Sequence, residues 1–85
     1  MTKNEIVSYL GTLQKTNELF NMYEFRPLEE VEEFYTDLCR IPFKDLSRNQ
    51  IHNLLKLVWE TETMLLEIYE LNNLNKELPD IKAYA

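Results

Sequence analysis

Apolar residues follow a helical period in the first part of the chain. Thr2, with Glu5 three residues later, has the sequence of a capping box, an arrangement that starts many helices. The apolar positions that follow are Ile6, Leu10, Leu13 and Phe20. Their spacing predicts a first helix from about residue 3 to residue 23. Gly11 would cost this helix about 1 kcal/mol relative to alanine, and we expect it either to be tolerated or to let another helix approach closely.

Two prolines bound a second helix. Pro27 suits the first position of a helix, because its fixed φ matches the helical value and its missing N–H would have no partner there. Apolar residues then recur every three or four positions, at Leu28, Val31, Tyr35 and Leu38. Pro42 ends this helix, since a proline restricts the residue before it to extended geometry.

A third and longer helix begins at Ser47. Ser47 and Gln50 have the spacing of a capping box, and Leu46 and Ile51 occupy the positions of a hydrophobic staple. No proline or glycine follows until near the C-terminus, so this helix is predicted to reach about residue 76 and to be about 40 Å long.

These elements predict an all-α fold. We expect a three-helix arrangement in which the first two helices form a short hairpin that packs against part of the long C-terminal helix. Eighty-five residues suffice for one small domain with a thin core. The predicted domain spans residues 1–78, and residues 79–85 form a C-terminal tail.

Apolar residues spread around most of the third helix. Its predicted solvent-facing stripe is polar: Lys56, Glu60, Thr63, Glu67 and Glu70. Beyond the residues that face the core, the helix carries a further set that we call the apolar belt: Leu57, Trp59, Met64, Leu66 and Leu71. A helix at a protein surface typically buries a stripe only somewhat wider than about 100°. The belt is therefore predicted to contact another protein molecule. A second copy is favoured, giving a dimeric helical bundle, and a docking surface for a different protein stays open.

The charge of the chain is acidic overall but unevenly distributed. Fifteen acids and nine lysines and arginines give a net charge of −6. Nucleic acid is therefore not an expected partner, because nucleic-acid affinity usually depends on a basic surface. Residues 40–56 nevertheless form a basic segment, with Arg40, Lys44, Arg48, His52 and Lys56 at every fourth position. We favour internal pairing of this basic patch with the acid-rich helices, while binding to an acidic partner or a phosphate backbone is the alternative.

Four carboxylates stand close together at the start of the second helix: Glu29, Glu30, Glu32 and Glu33. The helix dipole favours negative charge at this end by about 0.3–1 kcal/mol per group, which predicts a solvated helix start. An acidic docking face is the alternative. The spacing does not fit a calcium loop, which needs a glycine turn and alternating oxygen ligands.

Residues capable of catalysis or metal binding are few. His52 is the single histidine and cannot start the usual tetrahedral zinc site without further ligands. Cys39 is the single cysteine and is expected to be buried. We therefore predict a non-enzymatic protein with no catalytic residues, cofactor, metal or small-molecule substrate. No run of eighteen apolar residues could span a membrane and no signal peptide is evident, so a cytoplasmic location is expected.

The sequence thus predicts a small non-enzymatic helical protein that binds another protein as an inhibitor, adaptor or regulator. Small, asparagine-rich helical chains are common in phages and other mobile elements, and we expect such an origin. Two alternatives remain. An acidic mimic of DNA would block a nucleic-acid-binding enzyme, and a DNA-binding regulator would use residues 40–56.

Overall fold

A computed structural model describes residues 1–76 and 78, and this part of the chain is all-α. It contains four α-helices: α1 (Lys3–Tyr9), α2 (Leu13–Tyr23), α3 (Leu28–Cys39) and α4 (Arg48–Leu71). A single 3₁₀ turn, Phe43–Asp45, connects α3 to α4. No strand occurs within these residues. The predicted fold class is therefore confirmed, whereas the predicted number of helices is not.

The prediction of one continuous first helix is wrong, because the chain breaks between α1 and α2. Thr12 has an extended backbone, with φ −135° and ψ 153°, and its hydroxyl accepts a hydrogen bond from the Lys15 N–H at 3.2 Å. Thr12 is therefore the N-cap of a new helix. The Thr16 hydroxyl lies within hydrogen-bonding distance of the carbonyl oxygens of Tyr9 (3.1 Å) and Thr12 (2.9 Å).

Gly11, at this break, has neither of its two expected roles. It lies outside both helices. A Cβ atom placed on it would meet only the Ser8 carbonyl oxygen, at an ordinary contact distance of 3.9 Å. No neighbouring helix approaches closely enough to require glycine at this position.

Two asparagines of α4 bind the carbonyl groups exposed by the break. Asn53 donates a hydrogen bond to the Leu10 carbonyl oxygen at 2.7 Å, and Asn49 donates one to the Gly11 carbonyl oxygen at 3.0 Å. Asn53 is only 2% exposed, so its polar atoms need such partners. These two bonds hold α4 against the α1–α2 connection.

The two ends of α4 are set by capping. The predicted capping box at Ser47 is confirmed: the Ser47 hydroxyl accepts from the Gln50 N–H at 3.2 Å, and the Gln50 side chain accepts from the Ser47 N–H at 2.8 Å. The helix ends at Leu71 rather than near residue 76. Asn73 adopts φ 54°, and the Leu74 N–H donates to the Tyr69 carbonyl oxygen at 2.8 Å. This is a Schellman motif, in which a left-handed residue ends the helix.

The core forms where α4 packs against α2 and α3, and α1 packs against α2. Its buried apolar residues are Ile6, Leu10, Leu19, Val31, Phe34, Tyr35, Leu38, Cys39, Ile41, Leu54, Leu57, Val58, Leu65 and Tyr69. Leu78 packs against this core, whereas the predicted tail, residues 79–85, lies outside the described residues. Within the described part of the chain, no helix is long and apolar enough to cross a membrane.

Candidate protein-binding surface

The outward side of α4 carries an exposed row of large apolar residues. Leu55 is 45% exposed, Trp59 66% and Leu66 48%. Because a helix turns by 100° per residue, these three side chains project within about 40° of one another. We call them the α4 stripe. Each of the three has a much larger exposed fraction than any residue of the core.

The structure separates the members of the predicted apolar belt. Trp59 and Leu66 belong to the α4 stripe. Leu57 is only 1% exposed and forms part of the core, so its assignment to an exposed belt is wrong. Met64 is half-buried and packs against the core. Leu71 is 82% exposed at the end of α4, but it is rotated by roughly 120° from Trp59 around the helix axis.

Leu55 belongs to this surface, although the predicted apolar belt does not include it. Its signal was the spacing of 55, 59 and 66, which are four and seven residues apart and therefore share a helix face. The predicted polar stripe lies beside this face rather than at its centre. Lys56, Glu60 and Thr63 from that polar stripe are in fact half-buried.

A groove runs beside Trp59, between α2 and α4. Its volume is about 250 Å³, and it is lined by Phe20, Glu24, Trp59, Glu60, Thr63, Met64 and Glu67. The groove combines aromatic and thioether side chains with carboxylates. It therefore extends the apolar surface of Trp59 toward α2 and gives it an acidic edge.

The charged residues on the outward side of α4 are divided by sign. Arg48 and His52 lie on the N-terminal half, and Glu62 and Glu70 lie on the C-terminal half. Within the described residues, none of these four side chains takes part in an ion pair. The outward face of α4 thus carries Arg48 and His52 toward one end and Glu70 at the other, and the half-buried Glu62 lies between Trp59 and Leu66.

The predicted basic patch does not form a single helix face. Arg40 follows α3, Lys44 lies in the 3₁₀ turn, and Arg48 is the first residue of α4. All three are exposed and, within the described part of the chain, form no ion pair. Lys56 forms an ion pair with Glu60 and donates a hydrogen bond to the Asn17 side chain at 3.0 Å. Among the described residues, the predicted pairing of this segment with acid-rich helices is thus not observed for Arg40, Lys44 or Arg48.

The four carboxylates at the start of α3 lie in different environments. Glu29 and Glu33 are exposed, as expected of a solvated helix start. Glu30 pairs with Arg26 at 3.4 Å in a contact open to solvent. Glu32 instead faces α4, where it accepts a hydrogen bond from the Tyr69 hydroxyl at 2.5 Å. These residues consequently do not form one continuous acidic face.

Glu32 connects α3, α4 and the segment after α4. The Tyr69 hydroxyl lowers the pKa of Glu32 by hydrogen bonding to its carboxylate, and Lys76 at 3.3 Å lowers it further, while burial acts in the opposite direction. Burial, followed by the bond to Glu32, raises the pKa of Tyr69 well above its ordinary value. Since Tyr69 stays protonated and Glu32 ionised at neutral pH, this bond is charge-assisted.

A second concave region lies on the α2–α3 side of the molecule. It has a volume of about 260 Å³ and is lined by Met1, Tyr23, Arg26, Glu30, Glu33, Phe34 and Asp37. The rings of Tyr23 and Phe34 stack in this region, with 3.9 Å between their centroids. Among the described residues, no group of three or more His, Cys, Asp or Glu side chains could hold a metal ion.

Comparison with known proteins gives no relative from which a role could be transferred. No protein-family model, curated protein or solved structure matches the chain. The functional interpretation therefore depends on the surface of the molecule itself.

Proposed function

We propose that this chain is a small non-enzymatic protein that binds another protein molecule through the outward face of α4, and acts as an inhibitor, adaptor or regulator. The dimeric helical bundle expected from the sequence is one form of this proposal, in which the bound molecule is a second copy. The proposal covers the α4 stripe and the groove beside it as one recognition surface.

The exposure of Trp59 is the observation that carries the proposal. Tryptophan is the residue most enriched among the energetically dominant residues of protein interfaces, where its large apolar surface is removed from water. Trp59 shares its face with Leu55 and Leu66, so three large, exposed apolar side chains lie on one side of the helix. Surfaces of this kind, when bordered by charged residues, typically mark protein-binding sites.

The basic segment supports a weaker second candidate, recognition of a phosphate backbone or an acidic protein. Arg40, Lys44 and Arg48 are exposed and carry no ion pair within the described residues. Binding of DNA through these residues would fall steeply with salt concentration. The DNA-mimic alternative has less support, because Glu32 is bonded to Tyr69 and Glu30 pairs with Arg26.

A matched pair of variants tests the proposal. Trp59→Glu places a charge in the α4 stripe, whereas Leu71→Glu makes the same charge change at a more exposed position on another side of the helix. Each variant and the wild-type chain would be immobilised and exposed to extract of the native host. Every retained protein would then be purified and its binding remeasured directly, alongside binding of the chain to itself.

We expect at least one directly confirmed partner, either a different protein or a second copy, to bind the wild-type chain and Leu71→Glu but not Trp59→Glu. Both variants should unfold at about the wild-type temperature, since exposed substitutions usually change stability by less than about 0.5 kcal/mol. Equal binding of the partner to all three chains would refute the assignment of this surface.

A further inference from the structure

We infer that the α4 stripe binds a second copy of this chain, with the two α4 helices antiparallel across a two-fold axis. This inference rests on the proposed function, because it uses the same face, and it adds the identity and orientation of the bound molecule. Three features of α4 support it: the spacing of its apolar residues, the distribution of charge along it and the position of its leucines.

The spacing on the outward face of α4 is that of a two-helix seam. Leu55, Trp59, Glu62 and Leu66 are separated by four, three and four residues. This alternation is the a/d pattern of helices that pair along their length. A partner helix can therefore follow the face for at least three turns. Glu62 is the polar residue of this row and should weaken the pairing of the two helices. We therefore expect a dimer that dissociates on dilution.

The charges select an antiparallel orientation. Arg48 lies at the N-terminal end of the outward face and Glu70 at its C-terminal end. In a parallel pair, each of these residues would face its own copy and repel it. In an antiparallel pair, the basic end of one helix faces the acidic end of the other, and this occurs twice. The two-fold axis of an isologous dimer generates this arrangement directly.

The leucines indicate a register. Leu55 and Leu66 lie at equal distances on either side of a point between residues 60 and 61. A two-fold axis at this point places Leu55 of each copy opposite Leu66 of the other, with both Trp59 side chains near the axis. Measured along the helix axis, Arg48 of one copy is then offset from Glu70 of the other by less than one helical turn, about 5 Å.

α4 is long enough for this contact. Its twenty-four residues span about 36 Å. This length is close to the longest dimension of the molecule, 38 Å.

Charge reversal at the two ends of α4 tests this inference. Arg48→Glu and Glu70→Arg each turn two attractive contacts of the dimer into repulsive ones. Both substitutions agree with the helix dipole, which favours acids at the N-terminus and bases at the C-terminus, so the helix should be retained. Lys44→Glu and Glu29→Arg are the matched controls, since they make the same charge changes at exposed positions away from the outward face of α4.

Sedimentation equilibrium of the full chain, from micromolar to millimolar concentration at low salt, provides the readout. We expect a monomer–dimer equilibrium for the wild type and both controls, and about tenfold weaker association for Arg48→Glu and for Glu70→Arg alone. Mixing these two variants should restore a dimer containing one copy of each, because every end contact is then attractive.

Three results would overturn the inference: a wild-type monomer at millimolar concentration, a dimer that Trp59→Glu leaves intact, or a mixture that associates no better than its components. A wild-type monomer would leave the proposed function standing if a different protein, confirmed by direct binding, still distinguished Trp59→Glu from Leu71→Glu. Equal binding of every confirmed partner to Trp59→Glu and Leu71→Glu, by contrast, would refute the proposed function itself.

Discussion

Leu57 and Trp59 are two residues apart on α4, yet Leu57 is 1% exposed and Trp59 is 66% exposed. Both are large apolar residues, and both belong to the predicted apolar belt. Their environments differ because two residues correspond to about 200° of rotation around the helix. The side of α4 that faces the other helices holds the fold together, and the opposite side is available for another molecule. Helical phase, rather than apolar character alone, decides the role of each residue.

The largest expected effect is a loss of stability on substitution of Leu57, whereas substitution of Trp59 should weaken binding. Leu57→Ala should reduce the free energy of unfolding by about 2–5 kcal/mol, because it leaves a cavity in the core. Trp59→Ala should change the stability of the monomer by less than about 0.5 kcal/mol and weaken association instead. Urea unfolding at a concentration where the chain is monomeric would measure both. A larger loss of stability in Trp59→Ala than in Leu57→Ala would contradict the comparison.

The polar contacts on the inward side of α4 should have the next largest effect. Asn53→Ala leaves the buried Leu10 carbonyl without its side-chain donor, and should cost about 1–3 kcal/mol of unfolding free energy. Asn49→Ala is the control, because the bond from Asn49 to Gly11 lies at an exposed position and should matter less. Denaturant unfolding of the two variants checks the order, and equal losses would show that burial does not distinguish the two bonds.

The bond between Tyr69 and Glu32 predicts a dependence of stability on pH. The folded-state pKa of Glu32 lies below its unfolded value, so its contribution is present above about pH 4.5 and is lost as pH falls through the folded pKa. The folded-state pKa of Tyr69 is raised, so its contribution is present below about pH 10 and is lost as pH rises through the raised value.

Tyr69→Phe should therefore cost about 1.5 kcal/mol at neutral pH, the lower end of the range for a hydrogen bond to a charged group, because this bond is only partly buried. It should also reduce the dependence of stability on pH at both ends of the range. Unfolding measured from acid to alkaline pH gives both quantities, and Glu32→Gln should reproduce the reduction at acid pH. An unchanged pH profile in Tyr69→Phe would show that this bond does not contribute to stability.

Gly11→Ala should have the smallest effect and the opposite sign. Gly11 has room for a Cβ atom and does not have a left-handed φ. Alanine should therefore raise the unfolding free energy by about 0.4–1 kcal/mol, because it lowers the conformational entropy of the unfolded chain. Thermal unfolding would show this as a modest increase in the transition temperature. A clear decrease would mean that the break between α1 and α2 depends on glycine rather than on the Thr12 cap.

Local signals determined how much of the fold could be predicted. The helix start at Ser47 was recognised because both members of its capping box are present in the sequence. Thr12 was missed because Lys15 occupies the position where a capping box would have Glu or Gln. The end of α4 was placed too late because Asn73, rather than the more familiar glycine, adopts the left-handed conformation.

The candidate surface was predictable only in part, because its composition depends on contacts between distant segments. Trp59 and Leu66 were identified from the excess of apolar residues on one helix. Distinguishing Leu55 from Leu57 required knowledge of which side of α4 meets α2 and α3. The bond between Glu32 and Tyr69 joins residues 37 positions apart, and no local pattern indicates it.

The most direct test of the central claim is the fluorescence of Trp59, the single tryptophan of the chain, as a function of protein concentration. We predict emission typical of a water-exposed indole in dilute solution, and a shift to shorter wavelength as the chain dimerises and the two Trp59 side chains leave water. Glu62→Leu should move this shift to lower concentration, because it completes the apolar seam. Emission that stays at the wavelength of an exposed indole throughout would contradict the burial of Trp59 against a second copy.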